Sequence, residues 1–139
     1  MEQFDDITML AVEKCSKKLE LSCSLSELKK IKECIFQLPL EDGKKKKIYL
    51  ACEEIFSNII NYSGADYVQF CCQGNAAAVN VVFTDNGKSF NPLENKIEKA
   101  FEDFDEGGMG ISLVKELCSG ICYNNDDGKN ILSLEFADK

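Results

Sequence analysis

The sequence has no histidine and no arginine, so all 16 of its basic side chains are lysines. Without histidine, Ser-His-Asp and Cys-His catalysis and histidine metal sites are excluded within the chain. Without arginine, so is bidentate guanidinium recognition of phosphate. Any catalysis must rest on carboxylates, lysines, amides, backbone groups and a borrowed metal. Long apolar runs are missing too: nothing approaches the roughly 18 residues that a membrane-spanning helix needs. The N-terminus, MEQFDDITML, is acidic where a secretory signal would be basic. These absences predict a cytoplasmic protein with no membrane partner.

Positive charge is scarce, with 24 acidic against 16 basic side chains and a formal charge of −8. That balance argues against direct nucleic-acid binding, which draws most of its affinity from neutralising phosphates. The one basic run, Lys44 to Lys47, reads as the solvated start of a helix rather than an anion patch. Eight cysteines are present, none in a C-x-x-C spacing, and Cys71-Cys72 and Cys118-x3-Cys122 lack a second ligand pair for zinc. Most sit among apolar neighbours, and all read as reduced core filler. At 139 residues, 45% hydrophobic and 29% charged, the chain has the size and composition of one soluble domain.

Residues 1–17 read as an N-terminal arm or short helix, ahead of a single domain over 18–139. KLELSC, Lys18 to Cys23, alternates like a strand. Ser24 followed by Glu27 is a capping-box pattern, predicting a helix over Leu25 to Leu38. After the turn PLEDGK, a second helix is expected from about Lys45 to Tyr62, ended by Ser63-Gly64. Tyr67 to Gln73 and Ala77 to Thr84 read as a hairpin joined at Gly74-Asn75. The segment Asp85 to Gly110 loses regular alternation, and an insert of that length inside a compact domain is usually functional or mobile. Ile111 to Cys118 then reads as a helix, and Ile121 to Tyr123 and Ile131 to Phe136 as strands around a turn at Asn124 to Asn130. The expected fold class is α+β: a two-layer sandwich with a mixed, mainly antiparallel sheet and about three helices on one face.

Three stretches carry the chemistry. In YLACEEIFSNIINYS the apolar residues gather on one broad face of the helix, while Glu54, Asn58 and Asn61 form a stripe on its shoulder. A carboxylate and an amide at i and i+4 lie one turn apart and can meet one ligand. FTDNGKSFNP is not a P-loop, because Val82 stands where that motif needs its first glycine. It leaves Asp85 at a strand end, with Gly87 permitting close backbone approach to a flat ligand. EGGMGI lacks the third glycine of the dinucleotide fingerprint, Leu113 occupying its place. Glycines opening a helix still present free N–H groups and a positive dipole end suited to phosphate.

Glu-x3-Asn on a helix, Asp-x-Gly after a strand and Gly-x-Gly opening another helix, in that order, resemble the GHKL superfamily, the Bergerat ATP-binding fold of gyrase, histidine-kinase and mismatch-repair ATPases. The likeness spans Lys18 to Phe136. Within the superfamily, SLSELKKIKECI, DNGKSFNP and GKNILSLEF look like the anti-sigma-factor serine/threonine kinases. The resemblance implies ATP and Mg as cofactors, with Glu54 as general base and Asn58 as magnesium ligand. It implies that Asp85 accepts from the adenine amino group beside Gly87, and that Gly108, Met109 and Gly110 at the end of a lid, about 88–109, reach the phosphates. Asn61 stands where many relatives have histidine. The implied partners are an anti-anti-sigma (STAS) protein and a sigma factor, with a homodimer expected.

The chain departs from the pattern twice: the lid has lysines (Lys88, Lys96, Lys99) where relatives have an arginine, and Lys129 follows Gly128 where relatives have threonine. Two readings follow: a kinase, which an intact Glu54 favours, and a nucleotide-binding regulatory module without phosphoryl transfer, which the arginine-free lid favours. An autonomous ATPase ranks below both, for want of an accompanying transducing domain.

Overall fold

The computed structural model describes residues 18–88 and 107–137. The expected arm at 1–17 and all but the two ends of the expected lid lie outside the described residues. Five strands, β1 (Lys18–Ser22), β2 (Tyr67–Gly74), β3 (Ala78–Asp85), β4 (Gly120–Asp126) and β5 (Lys129–Ala137), form one sheet in the order β1-β2-β3-β5-β4. All four pairings among the described residues are antiparallel, in keeping with the expected α+β fold of a mainly antiparallel sheet and three helices. Two pairs are hairpins, and the longer connections return the chain in the opposite direction. A 3-10 turn (Leu25–Glu27), helix α1 (Leu28–Phe36), helix α2 (Asp42–Asn58), a π-helical turn (Ile59–Ser63) and helix α3 (Gly107–Leu117) complete the fold.

The period-two pattern of the strands places the sheet under the helices. Val68, Phe70 and Cys72 on β2, Val79, Val81 and Phe83 on β3, and Leu132, Leu134 and Phe136 on β5 share one face. They form one buried cluster with Ile31 and Ile35 of α1, Ile48, Cys52, Ile55 and Phe56 of α2, and Val114 of α3. Phe70 and Phe83 oppose each other in register, ring centroids 5.1 Å apart and tilted by 59°, a geometry that adds to their burial. The opposite face holds a small second cluster, Cys71, Val82 and Ile131.

Local chemistry moves the expected boundaries. Ser24 caps as predicted, accepting from the Ser26 amide, but Glu27 reaches back to the amide of Ser22 rather than Ser24, and the first turn is 3-10. The helix ends at Phe36, two residues before the predicted stop. Helix α2 begins at Asp42, inside the stretch read as a turn, because an acidic first-turn residue suits the positive helix end. The last hairpin is tighter than expected: Asp127 and Gly128 have φ of 52° and 76°, a two-residue turn with both central residues left-handed. The strands therefore run through the asparagines read as loop, with Asn125 opposite Asn130.

Cys23, Cys34, Cys52, Cys72, Cys118 and Cys122 are free thiols. Burial pushes the Cys52 thiol well above its ordinary range, and a hydrogen bond with Cys34 together with burial does so for Cys72, so both behave as inert filler. Cys71 is disulfide-bonded, which corrects the reduced-filler reading at that position.

Candidate functional site

The site forms where the end of α2 meets the end of β3. Glu54 and Asn58 lie one regular α-turn apart on α2, Glu54 half-buried and Asn58 only 7% exposed. From Ile59 the backbone widens into the π-helical turn and closes at Gly64, whose φ of 68° is left-handed. The wider turn breaks the stripe: Asn61 is exposed, and its direction no longer follows from Glu54 and Asn58 by α-helical spacing.

Behind that turn, buried Ser63 donates its hydroxyl to the Ile59 carbonyl (2.8 Å) and accepts from the Ala65 amide (3.2 Å). Its own carbonyl accepts from the Lys88 amide at 2.8 Å, so the chain leaving β3 docks onto the end of α2. Asn86 pins the other side, its Oδ1 accepting from the amides of Asp66 (2.8 Å) and Tyr67 (3.3 Å). Between them, a side chain at Gly87 would place its Cβ 2.4 Å from the Ser63 carbonyl oxygen. Glycine is required here by the approach of two backbones. Gly87→Ala is expected to lower stability by about 1–2 kcal/mol, as overpacking against backbone does. Thermal unfolding of the variant beside the parent checks this.

Asp85 is 3% exposed. Its Oδ1 accepts from the Gly87 amide (2.9 Å) and from Asn130 Nδ2 (3.0 Å). Burial raises its pKa, opposed by hydrogen bonds from Asn130, Gly87 and Ser63. Asn130 stands opposite Asp85 in the β3–β5 register, donates also to the Lys88 carbonyl (2.7 Å), and accepts from the Tyr123 hydroxyl and from Asn125 Nδ2 (3.1 Å). A narrow pocket results, with walls of Ile55, Ile59 and Leu132 and polar groups from Asn58, Asp85, Tyr123 and Asn130.

One polar atom of that pocket is unsatisfied. Asn58 Nδ2 is buried with no hydrogen-bond partner among the described residues. An orphaned buried donor costs about 1–3 kcal/mol, and it faces the pocket that Asp85 also lines. The structure thus brings Asn58 and Asp85 together, with Gly87 bonded to Asp85; Glu54 and Asn61 do not line the pocket. Helix α3 begins at Gly107 rather than Ile111, so Gly108 and Met109 stand in its first turn, where amides have no partner four residues back, and Gly110 follows directly. Among the described residues no group of three or more His, Cys, Asp or Glu is placed to hold a metal. Toward a cation the Asn58 side chain could offer only its Oδ1, because the unpartnered Nδ2 is a hydrogen-bond donor.

Sequence reasoning missed Ser63, Tyr123 and Asn130. The Asp127-Gly128 dipeptide carried the signal: a two-residue turn there extends both strands and sets Asn130 in the ladder beside the end of β3.

A family described as the histidine kinase-like ATPase domain matches residues 24–136. Among solved structures, a chain of the SiaB–SiaC complex from Pseudomonas aeruginosa aligns with a TM-score of 0.56 at 12% identity, covering 99% of this chain and 98% of that one. The histidine kinase AdeS of Acinetobacter baumannii aligns with a TM-score of 0.52 at 16% identity, covering 96% and 75%. Both share the fold. No curated protein sequence matches the chain, and no helix among the described residues is long and apolar enough to cross a membrane.

Proposed function

The chain belongs to the histidine kinase-like ATPase domain family, and from that membership we propose an anti-sigma-factor serine/threonine kinase that phosphorylates a STAS-type anti-anti-sigma partner and otherwise sequesters a sigma factor, as a cytoplasmic homodimer. An ATP-binding regulatory domain of kinase-like fold follows from the family itself. The observation that best supports the rest is the pocket in which the unsatisfied amide of Asn58 and the carboxylate of Asp85 meet. A structural neighbour solved as a two-protein complex, SiaB–SiaC, agrees with a protein partner.

In this reading the adenine amino group donates to Asp85, whose carboxylate Gly87 and Asn130 hold through Oδ1. Asn58 would hold magnesium through its Oδ1, the ion supplying charge neutralisation when bound, while the unpartnered Nδ2 would donate to a ligand oxygen. The amides of Gly108, Met109 and Gly110 at the start of α3 meet phosphate oxygens, which favour a positive helix end. Glu54 accepts the proton of the partner's serine or threonine hydroxyl as that oxygen bonds to the γ-phosphorus and the bond to the β-phosphate oxygen breaks. Asn61 borders the same end of α2. Lysine in place of a lid arginine gives a point charge rather than a planar fork, so transfer is expected to be slow. The same feature supports the second reading, a nucleotide-binding module that sequesters a partner without transfer.

Asn58→Ala is expected to weaken ATP binding roughly tenfold with magnesium present and little in its absence. Calorimetric titration in magnesium and in EDTA checks this. Equal loss in both would remove Asn58 as metal ligand.

A further inference from the structure

We propose that the groove at the N-terminal end of α2, opposite the nucleotide pocket, docks an acidic amphipathic helix of a partner protein. The groove has a volume of about 950 Å³. It opens where the 38–40 loop, the start of α2, the β2–β3 hairpin tip and the ends of α3 and β5 converge. Helix α2 has 17 residues, so this end lies about 25 Å from Asn58. The proposal stands independently of the nucleotide reading.

Two features select the occupant. The floor is apolar: partly buried Leu38, Leu40 and Leu117 line it above the buried Ile48 and Phe136, and three such side chains can meet the apolar stripe of a helix. The rim is cationic in a protein of net charge −8: Lys44, Lys45 and Lys47 stand on it, with Glu41 the one acid among the described lining residues. The run is the start of α2 as expected, with Lys46 and Lys47 exposed, and three of its four lysines also line the groove. Lys44 Nζ donates to the Ala76 carbonyl at 2.9 Å, tying the hairpin tip to α2. Lys45 Nζ donates to the Phe36 carbonyl at 3.0 Å and lies 5.9 Å from the Phe36 ring centroid. Among the described residues neither Lys45 nor exposed Lys47 has a carboxylate within ion-pair distance. Carboxylates on the polar face of an incoming helix complement that rim. Glu41 makes no side-chain cap to α2, and a Cβ at Gly43 would meet nothing within 4 Å, so among the described residues nothing fills the groove at the helix start.

The test uses the full chain and a fluorescein-labelled 18-residue peptide with leucines at i, i+3, i+4 and i+7 and glutamates elsewhere, against its lysine counterpart. The glutamate peptide is expected to bind at least tenfold more tightly than the lysine peptide, and to weaken with added salt. Gly43→Leu, which fills the open space, is expected to abolish binding, and Lys47→Glu, which alters only an exposed side chain, to weaken it several-fold. Saturating ATP is expected to leave the affinity unchanged. Equal binding of the two peptides overturns the proposal, as does full binding by both variants. Competition by ATP would put the peptide at the other end of α2 and overturn it too. Dodecanoate binding without peptide binding would make the groove a small-amphiphile site. Loss of peptide binding on self-association would make it a face between copies of the chain.

Discussion

Asp85→Asn is expected to lower ATP affinity by roughly 100-fold, about 2.7 kcal/mol, while leaving the fold intact. The asparagine can keep its side-chain oxygen on the Gly87 amide and on Asn130 Nδ2, which both meet Oδ1 in the parent. Its amide nitrogen then takes the place of Oδ2 and confronts the adenine amino group donor to donor. A hydrogen bond to a charged acceptor is lost and an unpaired donor is introduced, so the penalty exceeds that of simple deletion. Calorimetry with magnesium present, parent beside variant, measures it. Micromolar-range binding by the parent that survives in the variant would place the adenine elsewhere.

The same substitution is expected to raise stability at neutral pH. Burial holds the Asp85 pKa above its ordinary 3.8, against the pull of its hydrogen bonds. A carboxyl with a raised pKa binds more protons folded than unfolded, so stability falls as pH rises from about 3.8 through the folded value, and the cost is fully present above it. Asparagine has no proton to lose and escapes that cost. The gain in melting temperature of Asp85→Asn over the parent should therefore be present at pH 7 and shrink at pH 4. A variant less stable than the parent at pH 7 would show that the hydrogen bonds, not desolvation, dominate at this carboxylate. With the expected sign, Asp85 is a buried ionisable group that weakens the free protein, the kind of position at which functional sites concentrate.

How far the site could be read in the sequence depended on whether its chemistry was local. Asn58 and Asp85 each stand in a short pattern with a physical meaning, a helix shoulder and a strand end, and the fold brings them to one pocket. The alternation of Val68, Phe70 and Cys72, and of Leu132, Leu134 and Phe136, likewise gave the strands and their covered face, because burial imposes a period of two. Asn130 was hidden because three asparagines and an Asp-Gly pair read as loop until the two-residue turn sets them in the ladder. Ser63 was hidden because its role is to meet Gly87 and Lys88 across the fold, a contact no periodicity encodes. The exposure of Asn61 was hidden because α-helical spacing was carried through what is a π-helical turn. Each miss lies where a backbone irregularity or a long-range contact overrides the local pattern; of the three, Asn130 lines the pocket and Ser63 bonds its Asp85.

Glu54→Gln separates the two functional readings. The amide keeps the shape of the carboxylate and its place one turn before Asn58 on α2, but it cannot take a proton from a hydroxyl. General-base catalysis contributes roughly 10²- to 10⁴-fold, so phosphoryl transfer to a STAS-type partner is expected to fall by that factor. Nucleotide affinity is expected to stay within about twofold of the parent, because Glu54 does not line the pocket shared by Asn58 and Asp85. Single-turnover transfer from radiolabelled ATP, with affinity measured in parallel, gives both numbers. Equal loss of affinity and transfer would make Glu54 a binding residue and remove it as base. Normal transfer by the variant would assign the proton to another group. If the parent binds ATP and transfers nothing to any tested partner, the arginine-free lid becomes the decisive feature. Introducing arginine at Lys88, whose backbone is already anchored to Ser63, is then the substitution expected to restore transfer, since a planar guanidinium holds phosphate in two places where an ammonium holds it in one.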